Sequence, residues 1–123
     1  MCVADEAARE TAFRSSYERG RPMPLTQGAT SKIILAHLPA RQLNRLIGAP
    51  KSAPANEPLR RELAAIRRRG YCATASEIDP GLAGIAAPVI VREAGIFASL
   101  SLVADDTHLD ESQRRRLVLL VVS

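Results

Sequence analysis

Apolar and polar residues change rhythm several times along the chain, and each rhythm predicts an element. In "TAFRSSYERG", residues 11–20, Thr11, Phe13, Ser15 and Tyr17 alternate with Ala12, Arg14, Ser16 and Glu18, the period of two expected of a half-buried strand that ends at Gly20. From Ala29 to Leu38 the spacing turns helical, with Ala29, Ile33, Ala36 and His37 grouped on one side and Pro39 as the stop. A second helix is expected over Arg41 to Ile47, ended by Gly48. The third is the clearest: Asn56 can cap it, Pro58 suits its first turn, Leu59, Leu63 and Ile66 form an apolar stripe, and Gly70 closes it. The stretch "GAPKSAPANEP" between these helices, residues 48–58, reads as a surface linker.

After Gly70 the rhythm is that of strands. A short one is expected near Tyr71 to Ser76, a longer one at "LAGIAAPVIV", a turn at "REAG" and another strand at "IFASLSLV", so that a hairpin feeds a sheet. In the last of these, Ile96, Ala98, Leu100 and Leu102 fall on one face and Phe97, Ser99, Ser101 and Val103 on the other, with Leu82, Gly84, Ala86 and Pro88 on the corresponding face of the neighbour. The final segment, "LDESQRRRLVLLVVS", opens with Asp and Glu as helices do, although its β-branched tail works against a helix.

Composition narrows the class. A chain of 123 residues fits a single domain with one modest core. Hydrophobic residues make up 46% and aromatic residues 3%, with no Trp, so the core is built from Leu, Ile, Val and Ala. Lys and Arg outnumber Asp and Glu by 17 to 13, a mild excess. The arginines at 67–69 sit at a helix C-terminus, where the dipole favours cations, and this explains them more simply than DNA contact does. Cys2 and Cys72 make no C-x-x-C pair, which points to a reducing, cytoplasmic compartment and no disulfide framework. No apolar run approaches the ~20 residues of a membrane helix, and the N-terminus carries no signal-peptide pattern.

The candidate chemistry lies in "PLTQGATSK". The free N–H groups and the dipole of a helix that starts near Ala29 suit a carboxylate or phosphate, and Thr26, Thr30 and Ser31 add hydroxyls. The same residues also suit a plain helix cap made by Thr26 or Gly28. Ser99 and Ser101 either face water or line a cavity. His37 and His108 have no second ligand at metal spacing, and no phosphate loop or nucleophile elbow occurs. The chain therefore reads as a binding module and not an enzyme. Glu77 is the one acidic residue near this region that could act as a base, or it makes a structural hydrogen bond or ion pair.

Taken in order, "ERGRPMPLTQGATSKIILAHLP", then "LRRELAAIRRRGYCATASEIDPGLAGIAAPVIVREAGIFASLSLV", then "DDTHLDESQRRRL", the chain resembles the effector-binding domain of IclR-type transcriptional regulators over residues 11–120. The motifs that carry the resemblance are G-x-x-x-P-L before a small-residue helix start, R-R-G-Y, E-x-x-x-G, A-A-P-V and the "SLSL" strand. The resemblance implies an α+β fold, a curved antiparallel sheet flanked by helices and similar to GAF and profilin-like domains. It implies a small organic acid as effector, signalling to a winged helix-turn-helix for which there is no room before Thr11, and assembly as a homodimer or homotetramer. It needs no cofactor. Carried over by position, the pocket comprises Met23, Ala29, Thr30, Thr74, Gly84, Ser101 and Val103. Thr74 replaces an acidic residue of some relatives, Gly84 a larger side chain and Val103 a hydroxyl, which together imply a roomier, less polar pocket suited to an aromatic acid. The competing expectation is a ligand-free oligomerisation module of the same fold, its cleft filled by side chains.

Overall fold

The computed structural model describes residues 20, 22–105 and 110–122. The strand expected over residues 11–20 lies outside them, apart from Gly20. In chain order the described elements are α1 (Ala29–His37), α2 (Ala40–Ile47), α3 (Glu57–Arg69), β1 (Cys72–Ala75), β2 (Leu82–Val91), β3 (Ile96–Asp105) and α4 (Glu111–Val122), with 3₁₀ turns at Pro54–Asn56 and Arg92–Ala94. The three strands form an antiparallel meander in the order β1-β2-β3. Helices lie on both sides of it, so the α+β class expected from the sequence holds.

Alternation sorts the sheet into two faces. The inner face carries Cys72 and Thr74 on β1, Gly84, Ala86 and Pro88 on β2, and Ser99, Ser101 and Val103 on β3, because Ala86 pairs with both Cys72 and Ser101, and Gly84 with both Thr74 and Val103. This is the face grouping that alternation predicted. Pro88 is tolerated in the central strand because β1 reaches only to Ala86, which leaves β3 as the one neighbour of β2 at that point among the described residues.

Against the inner face lies α1, backed by α3. Ile33, Leu35, Ile66, Leu63, Cys72 and Ala86 share one core, with Phe97 packed at its edge. Full burial of an Ile or Leu such as Ile33, Leu35 and Ile66 is worth about 1.5–3 kcal/mol each. The single apolar stripe expected of α1 is not what forms. Seven of its residues, from Ala29 through Ser31 to Ala36, are buried, because sheet, α3 and loops enclose it on nearly every side. His37, expected on the buried side, is only half-buried, and its Nδ1 lies 2.8 Å from the Ile33 carbonyl.

The helix ends differ in how they close. Asn56, expected to cap α3 with its side chain, makes no cap hydrogen bond. Its Nδ2 instead donates to the carbonyl of Ile47 at 2.6 Å, and an Arg60 guanidinium N–H donates to the Gly48 carbonyl, so both side chains serve the end of α2. The last segment is a helix despite its β-branched tail. Asp110 Oδ1 accepts from the Gln113 N–H at 2.7 Å while Gln113 Oε1 accepts from the Asp110 N–H at 3.0 Å, a reciprocal capping box. This helix covers the outer face of the sheet through Leu117, Val118 and Val121 against Ile85 and Ala87.

Candidate functional site

The first turn of α1 meets the inner face of the sheet at its β1–β2 end. Gly28 caps the helix at φ 84° and ψ 151°, a conformation that favours glycine, and offers no side chain to its first turn. The hydroxyls expected to act here do so on each other. Thr30 Oγ1 donates to Ser101 Oγ at 2.8 Å, and Ser99 Oγ donates to the Thr30 carbonyl at 3.0 Å, which pins the helix start to β3.

Between helix start and sheet is a cleft of about 20 Å³, lined by Ala29, Thr30, Thr74, Glu77, Gly84 and Val103, with Gly28, Ile78, Asp79, Leu82 and Ala83 completing its wall. Five of the seven positions expected from sequence thus meet in one place. Ser101 does not line the cleft but holds Thr30, which does. Met23, half-buried in the segment before α1, lies outside the lining. The volume is enough for about one water, so the expected roominess is not present. Gly84 is the close-approach point: a Cβ there would stand 3.4 Å from Ala29 Cβ and 3.6 Å from Thr74 Oγ1. A second cavity, of about 200 Å³, opens on the outer face between α4 and the sheet, walled by Ala73, Ala75, Ala83, Ile85, Val118 and Arg114, and Thr74 and Gly84 border it as well as the cleft.

Sequence reasoning named Glu77 only as a base or a structural partner, and the second role is the one found. Its Oε2 accepts from the Gly28 N–H at 2.8 Å and its Oε1 from Lys32 Nζ at 2.6 Å. Lys32, which sequence reasoning missed, is 5% exposed and also reaches Glu62 on α3 at 2.9 Å. A lysine inside an otherwise apolar helical run was the available signal. Burial opposes its charge, but the hydrogen bonds and field of Glu62 and Glu77 outweigh burial and hold the ammonium above its ordinary 10.5. Burial pushes the Cys72 thiol from 9.0 up to about 11, only partly offset by Lys32 and Arg69. A thiol so protonated is no nucleophile.

Among the described residues no group of three His, Cys, Asp or Glu side chains is placed to hold a metal ion, and no helix is long and apolar enough to cross a membrane.

Comparison with known proteins agrees with this fold. The family described as "Bacterial transcriptional regulator IclR C-terminal" matches residues 1–122. The Escherichia coli HTH-type transcriptional regulator XynR is 29% identical over 106 residues, which span 80% of this chain and 42% of XynR. The chain therefore spans less than half the length of that regulator. A C-terminal domain of a Vibrio cholerae transcriptional regulator superposes with a TM-score of 0.82 at 33% identity, covering 97% of this chain and 72% of that one. The fold is also shared, at 19% identity and a TM-score of 0.72, with a double mutant of the inducer-binding domain of the Acinetobacter transcription factor PobR in complex with 3-hydroxybenzoic acid, over 92% of this chain and 69% of that one. These relatives are regulators, not enzymes, and the match across nearly the whole sequence places the chain in the family of C-terminal, effector-binding domains of IclR-type bacterial transcriptional regulators.

Proposed function

We propose that the chain senses a small organic acid in the cleft at the start of α1 and passes its occupancy to a DNA-binding domain outside this chain. The observation that carries this reading is the meeting of Ala29, Thr30, Thr74, Gly84 and Val103, far apart in sequence, around a single cleft. Small residues on three of these walls leave room once the helix start moves off the sheet, and the Thr30 and Thr74 hydroxyls can orient a polar group amid apolar surroundings. The double mutant of the PobR domain, similar in fold, holds an aromatic acid, which supports an aromatic carboxylate over a two- or three-carbon one. Binding that shifts the pairing of α1 with β3 couples to the DNA-binding heads of an assembled dimer or tetramer in the cytoplasm; ~1–3 kcal/mol of coupling suffices.

A thermal-shift screen of the chain against keto, dicarboxylic and aromatic acids tests the reading, repeated with Ser101→Leu. A rise in Tm with an acid, lost in the variant, is the expected result. No rise with any acid removes it.

A second reading has its own support. Val89, Val91, Ile96, Leu100 and Leu102 on the outer face of the sheet are exposed, as are Leu119 and Leu120 of α4. With the cleft this small, the domain would act as a ligand-free oligomerisation module. Association that is unaltered by any acid and by Ser101→Leu distinguishes that module from a sensor.

A further inference from the structure

The cleft already holds a carboxylate of the protein's own. Glu77 sits in the turn between β1 and β2 and divides its two oxygens between the Gly28 N–H, 49 residues away, and the ammonium of Lys32. It thereby satisfies the backbone N–H of the N-cap residue, which itself makes no side-chain cap. Lys32 is 5% exposed, so this ion pair joins a buried cation to a carboxylate whose side chain is 31% exposed. Among the described residues the lining of the cleft includes the Glu77 carboxylate and no lysine, arginine or histidine. The two donors best suited to an incoming carboxylate, the Gly28 N–H and the Lys32 ammonium, are both engaged by Glu77.

We propose that Glu77 is an internal stand-in for the effector's carboxylate, and that an acid effector binds by displacing it from Gly28 and Lys32. The proposal rests on the acid-sensing reading above and adds the residue that sets its threshold. The exchange conserves charge: one carboxylate leaves and one arrives, while Glu62 remains 2.9 Å from Lys32. Lys32 keeps two anionic partners throughout. The displaced side chain has a short way to water. Its carrier is the turn at 76–81, in which Ser76 has φ 58°, its N–H donates to the Leu82 carbonyl at 2.9 Å and its Oγ accepts from the Gly81 N–H at 2.9 Å. Release of Glu77 frees this turn, so the chemistry of the ligand becomes a change in the β1–β2 connection. Apparent affinity for an acid is then the intrinsic affinity reduced by the fraction of molecules in which Glu77 has swung out. Neutral ligands that do not use the Gly28 N–H meet no such competition.

Calorimetric titration of the full chain with benzoate and with pyruvate, using benzamide as the neutral control, tests this in the wild type, Glu77→Ala and Glu77→Gln. Removal of the competitor is expected to tighten carboxylate binding about tenfold or more and to leave benzamide unchanged. In the wild type, saturating benzoate is expected to speed hydrogen exchange over residues 76–81 while Gly28 stays protected. Equal carboxylate affinity in the wild type and both variants overturns the displacement and leaves the acid-sensing reading standing. Absence of carboxylate binding in all three overturns both. Should either variant fail to fold, exchange in the wild type decides alone, since slower exchange over 76–81 with benzoate means that Glu77 stays seated.

Discussion

Thr30 and Ser101 stand 71 residues apart in sequence, and their hydroxyls share a 2.8 Å hydrogen bond across the gap between α1 and β3. With Ser99 Oγ on the Thr30 carbonyl, this contact fixes the height of the helix start above the sheet, and so the size of the cleft.

The bond has a measurable worth. Ser101→Ala is expected to cost about 1 kcal/mol, because it leaves the Thr30 hydroxyl half-buried without its acceptor. Thr30→Val in the same background should cost little more. A double-mutant cycle read by urea unfolding checks this, and additive single effects would mean that the hydroxyls are not coupled.

Gly84 separates function from folding. Its backbone lies in an ordinary strand conformation, and an added methyl would make only van der Waals contacts with Ala29 Cβ and Thr74 Oγ1. Gly84→Ala is therefore expected to keep the melting temperature within a few degrees, roughly 1 kcal/mol, while filling the approach to the cleft and weakening the response to any acid that binds there. A melting curve with and without benzoate gives both answers. A variant that folds and still responds in full would place the ligand elsewhere.

Alkaline pH is expected to loosen the fold in two steps. The unfolded Cys72 thiol releases its proton near 9.0 and the folded one near 11, so above pH 9 the unfolded state loses protons first and is favoured. Stability that is complete below pH 9 thus falls as pH rises to about 11, and Lys32, raised above 10.5, adds a further loss at the top of that range. In a Cys2→Ser background, urea titrations from pH 8 to 11 should show the decline, and Cys72→Ala should remove its first part. At pH 8 Cys72 should resist Ellman's reagent until the chain is unfolded.

The cap of α4 is reciprocal, so either half can be broken. Asp110→Ala removes the acceptor for the Gln113 N–H and is expected to cost about 1 kcal/mol of stability. Loss of helix signal in circular dichroism should accompany it. Asp110→Asn, which retains an acceptor oxygen, should recover most of the loss.

Much of the chain was legible before any tertiary contact was known. The extent of α1, the end of β2 and the start of β3 follow from local punctuation: Gly28 and Pro39 bracket α1, and the turn that closes at Gly95 separates β2 from β3. Five of the seven pocket positions inferred from family resemblance line the cleft, whereas Met23 does not, and Ser101 acts through Thr30. The errors have one physical origin. Asn56 has a cap's chemistry and a cap's place in sequence, yet the open carbonyl of Ile47 lies closer to hand once α2 and α3 turn back on each other. His37 falls on the apolar side of a helical wheel, but a wheel cannot say that α1 is enclosed almost completely.

The sequence by itself determined which segments become helix and strand and which residues share a sheet face, because those properties depend on neighbours two to four positions away and on the fixed geometry of the backbone. Only the tertiary structure decided where charge resides. Lys32 lies within an apolar run and Glu77 in a turn 45 residues later, and no periodicity relates them. Their pairing beside Gly28 exists because the meander returns the β1–β2 turn to the start of α1, where a buried ammonium and an uncapped helix both require a carboxylate.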